Sequence, residues 1–371
     1  MPVQPLVLVC PLDWGLGHAS RVIPVINRYI LCGYRVMLGV AGKSGDLLKR
    51  TFPELMFLDI PSYEIRYPGN GRLLFMSLIF QLPQMIVSML REHLLIKKLV
   101  KLKGINIVVS DNRYGLFSSH SHNIIITHQV SPVLPVFLKW AEYPLSLLLR
   151  FLIQRFDECW IPDLAGNINL SGNLSHRFKL PRNARYIGIL SRFSNMKDID
   201  VDLRTGNEKS DLVIILSGPQ PMLRKFTRLI ISQARFLPVK TLIIGGLQDE
   251  DEVIPQLEGS LISYVAHLES DEFREAVQKG GIVICRSGYS GIMDLAALNR
   301  TAVLIPTPGQ TEQEYLASYL AERGMFESVI QSEMDLNNMA DKIKKASSDQ
   351  WYQIFNTEDI PVYPLFQEKN N

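Results

Sequence analysis

The sequence predicts an α/β protein made of two domains, each a parallel sheet with helices on both faces. In both halves of the 371-residue chain, short apolar runs of strand type alternate with segments that repeat apolar residues at helical spacing. Between the halves lies a polar, charged stretch, residues 191–211, which we interpret as a linker. Two Rossmann-like domains that face each other across a cleft fit this order, with ligands at the carboxyl ends of the strands.

The candidate strands follow one another in chain order within each half, with helical patterns between most of them. They are Pro5–Cys10, Tyr34–Val40, Leu55–Ile60, Ile105–Ser110, Ile124–Thr127 and Cys159–Pro162, then Leu212–Leu216, Lys240–Ile244, Leu261–Tyr264, Ile282–Cys285, Ala302–Ile305 and Val329–Gln331. This order predicts an amino-terminal domain at 1–190 and a carboxyl-terminal domain at 212–346. The tail, 347–371, is expected to pack back on the protein because aromatic residues such as Trp351 and Phe355 favour burial.

Composition describes a folded protein and narrows the function classes. Hydrophobic residues make up 47% of the chain and the net charge is +2, so no overall field favours nucleic acid. No cysteine pair has the CxxC spacing of a zinc site, and a reducing cytoplasm is the simplest setting. The amino terminus lacks the basic segment of a signal peptide. His120, His122 and His128 could hold a metal, but no acidic or cysteine partner lies at a useful spacing.

The run from Ile282 to Leu320 carries most of the functional information. It reads as a strand, a turn of small residues, a helix, a second strand, a Pro-rich loop and a further helix. A turn that presents backbone N–H groups and a helix amino terminus suits a phosphate, and nearby polar side chains suit a nucleotide sugar. The candidate donor-binding residues are Arg286, Ser287, Gly288, Tyr289, Ser290, Gly291, Asp294, Gln310, Glu312 and Gln313.

This run resembles the donor-binding motif of GT-B glycosyltransferases, and most closely family 28, which includes the N-acetylglucosaminyltransferase of the peptidoglycan lipid intermediate. The matching positions are Arg286-Ser287-Gly288, Asp294, Ala296-Ala297, Pro306 and Gln313. The chain departs from the family in having Asp294 for Glu, Asn299-Arg300-Thr301 for Gly-x-Pro, and Ala317 for Asn. The resemblance implies a GT-B fold and a nucleotide diphosphate sugar donor, UDP first among them. It also implies that no metal or cofactor is needed.

Two further loops of the second half fit the same resemblance. Ser217-Gly218-Pro219-Gln220 stands where the family has a Gly-Gly-Ser-Gln loop, with Pro219 in place of the serine and Ser217 as its substitute. His267 follows a predicted strand at the place where the family holds the nucleotide base. It is predicted to stack on the base, with an ordinary polar loop residue as the alternative.

The loop after the first strand points to an acceptor site. Gly15 and Gly17 allow a tight turn, but Ser20 stands at the third glycine position and no acidic residue ends the second strand, which disfavours NAD. GT-B enzymes of the resembling family carry a glycine-rich loop with a histidine here, and His18 matches it. An imidazole suits the role of a base that takes the proton of an acceptor hydroxyl.

Asp111 is predicted to orient His18, because it follows a candidate strand and should lie at that strand's carboxyl end. Asp13 is the alternative, either as the base or as the partner of the base. The alternatives without chemistry are that His18, like Ser20, caps the following helix and that Asp111 is a turn residue.

Two stretches, 73–102 and 130–156, are unusually apolar but interrupted by proline and charged residues, so a spanning helix is not expected. They are interpreted either as buried helices or as a surface that lies on a membrane. The basic residues that would face anionic headgroups are Lys97, Lys98, Lys101, Lys103, Lys139, Arg150 and Arg155.

The sequence thus predicts an inverting glycosyltransferase. It would transfer a sugar from a nucleotide diphosphate to a hydroxyl of a lipid-linked or cell-envelope acceptor, in the cytoplasm or on the inner face of the membrane. The alternatives are a nucleotide-sugar epimerase or hydrolase of the same fold, and a non-catalytic protein that binds sugar nucleotides.

Overall fold

The computed structural model describes residues 4–63, 65, 68, 74–194, 210–245 and 261–337. The chain divides into two compact units, of which the first includes Leu78–Arg192 and the second includes Phe193–Thr357. The predicted tail, 347–371, and residues 195–209 of the predicted linker lie outside the described residues.

The amino-terminal unit contains a parallel sheet with the strand order β3-β2-β1-β4-β5-β6-β7. The strands are β1 Leu6–Cys10, β2 Arg35–Val40, β3 Met56–Asp59, β4 Ile107–Asp111, β5 His122–Ile126, β6 Glu158–Ile161 and β7 Ala184–Tyr186. The helices are α1 Leu16–Leu31, α2 Gly42–Thr51, α3 Leu74–Lys103, α4 Glu142–Ile153 and α5 Asn173–His176, with a 3-10 helix at Val136–Ala141 before α4.

The carboxyl-terminal unit contains a second parallel sheet with the order β10-β9-β8-β11-β12-β13. Its strands are β8 Leu212–Ile215, β9 Thr241–Ile244, β10 Ile262–Val265, β11 Ile282–Cys285, β12 Val303–Leu304 and β13 Glu327–Ser328. Its helices are α6 Met222–Ala234, α7 Ser270–Lys279, α8 Tyr289–Ala297 and α9 Thr311–Glu322. A short 3-10 helix, Gln331–Glu333, follows β13.

The central strands of both sheets are short apolar runs because helices cover them on both faces. All five residues of β1 are buried, for example. In each sheet the strand order reverses beside the first strand, between β1 and β4 and again between β8 and β11. Open α/β sheets bind ligands at the carboxyl edge next to such a reversal. The predicted α/β class is therefore confirmed, and the topology marks one edge of each sheet for a site.

Two predictions of strands were incomplete or wrong. The edge strand β7 was not predicted, because Ala184–Tyr186 is half-buried and contains no apolar run. The strand predicted at Val329–Gln331 is wrong, since β13 lies at Glu327–Ser328 and Gln331 begins the 3-10 helix. Both strands pair at the periphery of a sheet, where pairing with a neighbour rather than hydrophobic patterning decides the conformation.

The two apolar stretches form helices whose large side chains are mostly exposed. The interpretation of these stretches as buried helices is therefore wrong for a large part of their length. We call the exposed large apolar side chains of three segments the apolar surface: residues 80–94 of α3, the 3-10 helix at Val136–Ala141, and α4. Its residues are Phe80, Leu82, Ile86, Val87, Leu90, Leu94, Val136, Phe137, Trp140, Tyr143, Leu147, Leu148 and Phe151.

Contacts between aromatic rings and an arginine connect α3 to α4, the two α-helices that carry the apolar surface. The Phe117 ring lies 4.3 Å from the ring of His93 on α3, and the Arg155 guanidinium lies over both Phe117 and Phe151. Within the described residues, no helix has the length and apolar character needed to cross a membrane.

A buried ion pair fastens α3 to the edge of the first sheet. The fully buried Arg113, two residues beyond β4, donates from Nε to Glu92 of α3 at 2.6 Å and from a second nitrogen to the Pro11 carbonyl at 3.3 Å. It also contacts the Pro61 carbonyl, and the Tyr63 hydroxyl donates to Glu92 at 2.7 Å. Arg113 therefore ties together α3 and the segments that follow β1, β3 and β4.

We expect Arg113→Met to lower the free energy of unfolding by about 3–5 kcal/mol, because it leaves the Glu92 carboxylate buried without its charge partner. The matched control is Arg185→Met, since Arg185 pairs with Glu158 at 2.7 Å but is 39% exposed. That substitution should cost no more than about 1 kcal/mol. Urea unfolding followed by tryptophan fluorescence measures both, and equal losses would contradict the role given to Arg113.

Candidate functional site

The loop between β1 and α1 places His18 on the first turn of the helix. Gly15 precedes α1 with a φ of 86°, in the left-handed region that favours glycine. No side chain caps this helix end, and the Ser20 hydroxyl donates to the Gly17 carbonyl at 3.0 Å. Neither His18 nor Ser20 therefore acts as the helix cap, and the imidazole of His18 is available for another partner.

That partner is Asp111, the last residue of β4. His18 Nδ1 lies 2.8 Å from Asp111 Oδ2, the carboxylate is fully buried, and the imidazole is 16% exposed. Since an ionised carboxylate only accepts hydrogen bonds, Nδ1 carries the hydrogen and Nε2 keeps a free lone pair. The neighbouring positions of β1 and β4 in the sheet bring the two residues together, 93 positions apart in the chain.

Arg21 and His128 complete this cluster. The sequence did not single out Arg21, and it suggested His128 only as a possible metal ligand. Arg21 Nε donates to Asp111 Oδ1 at 2.9 Å, and a second nitrogen of the guanidinium contacts the same oxygen. A third Arg21 nitrogen lies 3.4 Å from His128 Nδ1. The signal that could have found Arg21 is its spacing, because it lies three residues after His18 and so shares a helix face with it.

The charges of the cluster favour a carboxylate and a neutral imidazole. Burial alone would raise the pKa of Asp111, but Arg21 and His18 hold it below its ordinary value. Burial lowers the pKa of His18, and Arg21 acts in the same direction, so together they outweigh the opposite effect of Asp111. At neutral pH His18 can therefore accept a proton at Nε2.

Asp13 lies in a second group of contacts. The Ser62 hydroxyl donates to Asp13 Oδ2, and the Arg113 guanidinium lies 3.7 Å from Oδ1. The structure thus joins Asp13 to the buried ion pair of Arg113, whereas Asp111 occupies the position beside His18.

In the carboxyl-terminal unit, the turn after β11 leads into α8 with an uncapped helix end. Gly288 is the residue before the helix, and no side chain hydrogen bonds to the backbone there. A Cβ atom built on Gly288 or Gly291 would have no neighbour within 4 Å. The first turn of α8 therefore offers backbone N–H groups next to open space, an arrangement that suits an anion.

Arg286 supports this turn from beneath. The buried guanidinium donates to the carbonyls of Ile305 and Pro306, both at 3.1 Å, and to Gln331 Oε1 at 2.8 Å. It also lies 3.7 Å from the centre of the Phe226 ring. Burial lowers the pKa of Arg286 to about 9, and its Nε is buried with no hydrogen-bond partner among the described residues.

Ser287 and Gln313 connect the same turn to α9. The Ser287 hydroxyl donates to the Gln313 backbone carbonyl at 2.8 Å, and Gln313 Oε1 accepts from the backbone N–H of Thr307 at 2.9 Å. Both residues thus join the turn after β11 to the loop after β12. Gln310 immediately precedes α9.

The remaining predicted residues of this region lie on the two helices. Tyr289 is buried at the start of α8, Ser290 is half-buried beside it, and Asp294 is 8% exposed further along the same helix. Glu312 is half-buried in the first turn of α9.

The other two predicted donor loops follow β8 and β10. Ser217 is exposed and Gly218 has a φ of 123°, while Gln220 Oε1 is buried and has no hydrogen-bond partner among the described residues. His267 is 42% exposed and lies 3.7 Å from Glu269. Parallel pairing places these loops and the turn after β11 at the same edge of the second sheet.

Residues 212–359 match the model of the glycosyltransferase family 28 C-terminal domain. Over 80 residues, the chain is 35% identical to the UDP-N-acetylglucosamine–N-acetylmuramyl-(pentapeptide) pyrophosphoryl-undecaprenol N-acetylglucosamine transferase of Histophilus somni. That match covers 21% of this chain and only 22% of the relative. An uncharacterized glycosyltransferase of Methanosarcina mazei is 23% identical over 347 residues, which cover 86% of this chain and 83% of the relative.

Among solved structures, the glycotransferase of kitacinnamycin superposes with a TM-score of 0.63 at 12% identity, covering 95% of this chain and 93% of the other. This likeness shows the GT-B fold. Taken together, these matches support a glycosyltransferase of GT-B fold, in which residues 212–359 match the carboxyl-terminal domain of family 28.

Proposed function

We propose that this protein is an inverting glycosyltransferase that moves a sugar from a UDP-sugar to a hydroxyl of a lipid-linked acceptor. The observation that carries the proposal is the contact of 2.8 Å between His18 Nδ1 and the buried Asp111 carboxylate. A histidine held in this way at the carboxyl edge of a sheet has the geometry of a general base.

In this mechanism His18 Nε2 takes the proton of the acceptor hydroxyl. The hydroxyl oxygen forms its new bond to the anomeric carbon as the bond from that carbon to the diphosphate oxygen breaks. The electron pair of the broken bond leaves with the nucleotide diphosphate, so the configuration at carbon inverts. Asp111 accepts the Nδ1 hydrogen throughout and stabilises the imidazolium that forms.

The donor is proposed to bind at the carboxyl edge of the second sheet. The uncapped first turn of α8 would meet the negative diphosphate with backbone N–H groups. The family's acidic position is Asp294, which would accept hydrogen bonds from the ribose hydroxyls. Asp is one methylene shorter than the Glu of the family, so the ribose must approach α8 more closely or use a bridging water. Arg286 would act on the donor through the turn that it supports, since its two terminal nitrogens donate to protein groups.

The apolar surface supports an acceptor that is presented from a bilayer. Trp140 and Phe137 are 74% and 67% exposed, and exposed Lys139 lies between them in the chain. Exposed lysines also follow the apolar part of α3, at Lys97, Lys98, Lys101 and Lys103. Large apolar side chains with basic neighbours are typical of a surface that binds peripherally to anionic lipid.

We expect His18→Ala to lower kcat by about 10²–10⁴ while the affinity for UDP-sugar stays nearly the same, because the base acts in the chemical step. His122→Ala is the matched control, since His122 is 46% exposed at the start of β5. The assay measures UDP release from UDP-sugars with and without a bacterial lipid extract.

Equal loss of affinity and turnover would make His18 a binding residue. If neither falls, Asp13 becomes the candidate base. UDP release that does not depend on the extract would instead identify a hydrolase or epimerase.

We expect Asp294→Ala to weaken UDP binding by about 1.5–3 kcal/mol, the usual contribution of hydrogen bonds to a charged group. Asp271→Ala on α7 is the control, because the Asp271 side chain is 76% exposed. Isothermal titration calorimetry with UDP measures both variants, and an unchanged affinity in Asp294→Ala would remove this residue from the site.

We expect the protein to float with phosphatidylglycerol vesicles at low salt and less so at high salt, since basic residues near anionic lipid contribute about 1 kcal/mol each. The double substitution Phe137→Ser and Trp140→Ser should reduce vesicle binding more than tenfold, because each large apolar side chain contributes about 1.5–3 kcal/mol when buried. Phe236→Ser is the control, because Phe236 is an aromatic residue as exposed as Trp140 but lies in the carboxyl-terminal unit. No flotation at low salt would favour a water-soluble acceptor.

A further inference from the structure

The Arg21 guanidinium is buried beside the His18–Asp111 pair. His18 could transfer a proton without Arg21, so the presence of this arginine needs its own explanation. The Arg21 side chain is 1% exposed, and two of its nitrogens contact Asp111 Oδ1. His18 uses the other oxygen, Oδ2. Each carboxylate oxygen thus has its own partner, and the two partners together fix the rotation of the carboxylate.

His128 holds the guanidinium on its other side. Because arginine only donates hydrogen bonds, the Arg21 nitrogen that lies 3.4 Å from His128 Nδ1 makes that ring nitrogen an acceptor. His128 is itself 3% exposed. The guanidinium is therefore held between a strand end and the loop after β5, and it cannot turn away from Asp111 without leaving a buried donor unpaired.

The charges of the cluster balance only while His18 is neutral. Asp111 supplies one negative charge and Arg21 one positive charge, so protonation of His18 adds an uncompensated positive charge to a buried site. Among the described residues, the other titratable groups that face the cluster are His128, after β5, and Tyr114, after β4. Burial keeps the pKa of Tyr114 above its ordinary value, so Tyr114 adds no charge near neutrality.

A buried carboxylate without Arg21 would have the opposite effect on His18. An anion in hydrogen-bond contact stabilises the imidazolium, and a base that holds its proton at working pH cannot accept another. In this cluster Arg21 offsets the Asp111 charge, and its effect on the pKa of His18 has the same sign as that of burial.

We propose that Arg21 is a positioning residue with two effects on the pair. It holds Asp111 Oδ2 against His18 Nδ1, and it keeps His18 neutral, and so able to accept a proton, at pH values where an ordinary histidine is already protonated. This inference rests on the proposed function for its importance to turnover. The state of the His18 ring, however, can be measured without any substrate.

The test is an NMR titration of the imidazole signals of the full-length protein, with His18→Ala used to assign His18 among the seven histidines. In the wild type we expect His18 to titrate below about 6.5, the ordinary value for histidine. Arg21→Gln should raise the pKa of His18 by about one unit, in accordance with the loss of a nearby like charge. Arg21→Lys, which keeps the charge, should leave the pKa close to that of the wild type.

Arg28→Gln is the matched control, because it removes the same charge from the same helix seven residues further on. It should leave the titration of His18 unchanged. For an active transferase, the acid limb of kcat/KM should shift with the His18 pKa in each variant, since this ratio reports the free enzyme.

A wild-type His18 that titrates above about 6.5 would overturn the proposal, even if Arg21→Gln failed to fold. The proposal also fails if Arg21→Gln folds and leaves the pKa of His18 unchanged or lower, or if Arg21→Lys raises it as much as Arg21→Gln does. Full turnover in His18→Ala would instead refute the proposed base and leave the NMR result standing.

Discussion

Parallel pairing of the strands is the constraint on which both candidate sites depend. In each sheet it brings the carboxyl ends of neighbouring strands to one edge, where the loops that follow them meet. His18 follows β1 and Asp111 ends β4, so two residues far apart in the chain come into hydrogen-bond contact. The second sheet repeats this arrangement, with Gly218 after β8 and the turn at Gly288 after β11. One topological rule therefore accounts for the position of both sites.

Buried charged side chains lie at the carboxyl ends of the strands of the first sheet. Two enclosed arginines lie there, Arg21 against Asp111 and Arg113 against Glu92. Removing one partner of such a pair costs far more than removing an exposed pair, because the remaining charge stays out of water. These pairs fix the side chains around the loop between β1 and α1, and Arg113 also connects that loop to α3 and hence to the apolar surface.

The predicted donor-binding residues of the second unit differ in what their side chains contact. Arg286 and Gln313 both match the family pattern, and both make hydrogen bonds that hold the loops of the second sheet together. A residue of a binding motif can thus act by shaping the backbone that meets the ligand. The open space beside Gly288 and Gly291 is where we propose that the diphosphate binds.

The sequence by itself determined the α/β class and the order of most strands, because hydrophobic periodicity and turn residues are local signals. The pair His18 and Asp111 was predicted from the family resemblance and the expected strand ends, with Asp13 as the alternative. Only the tertiary structure showed that Arg21 and His128 join that pair, since burial of a charge depends on residues distant in the chain. It also decided the edge strand β7, whose residues Ala184–Tyr186 have no strand pattern of their own. Likewise, the sequence of the two apolar stretches does not show whether their side chains are buried or exposed. A side chain such as Trp140 is buried or exposed according to what the rest of the fold places against it.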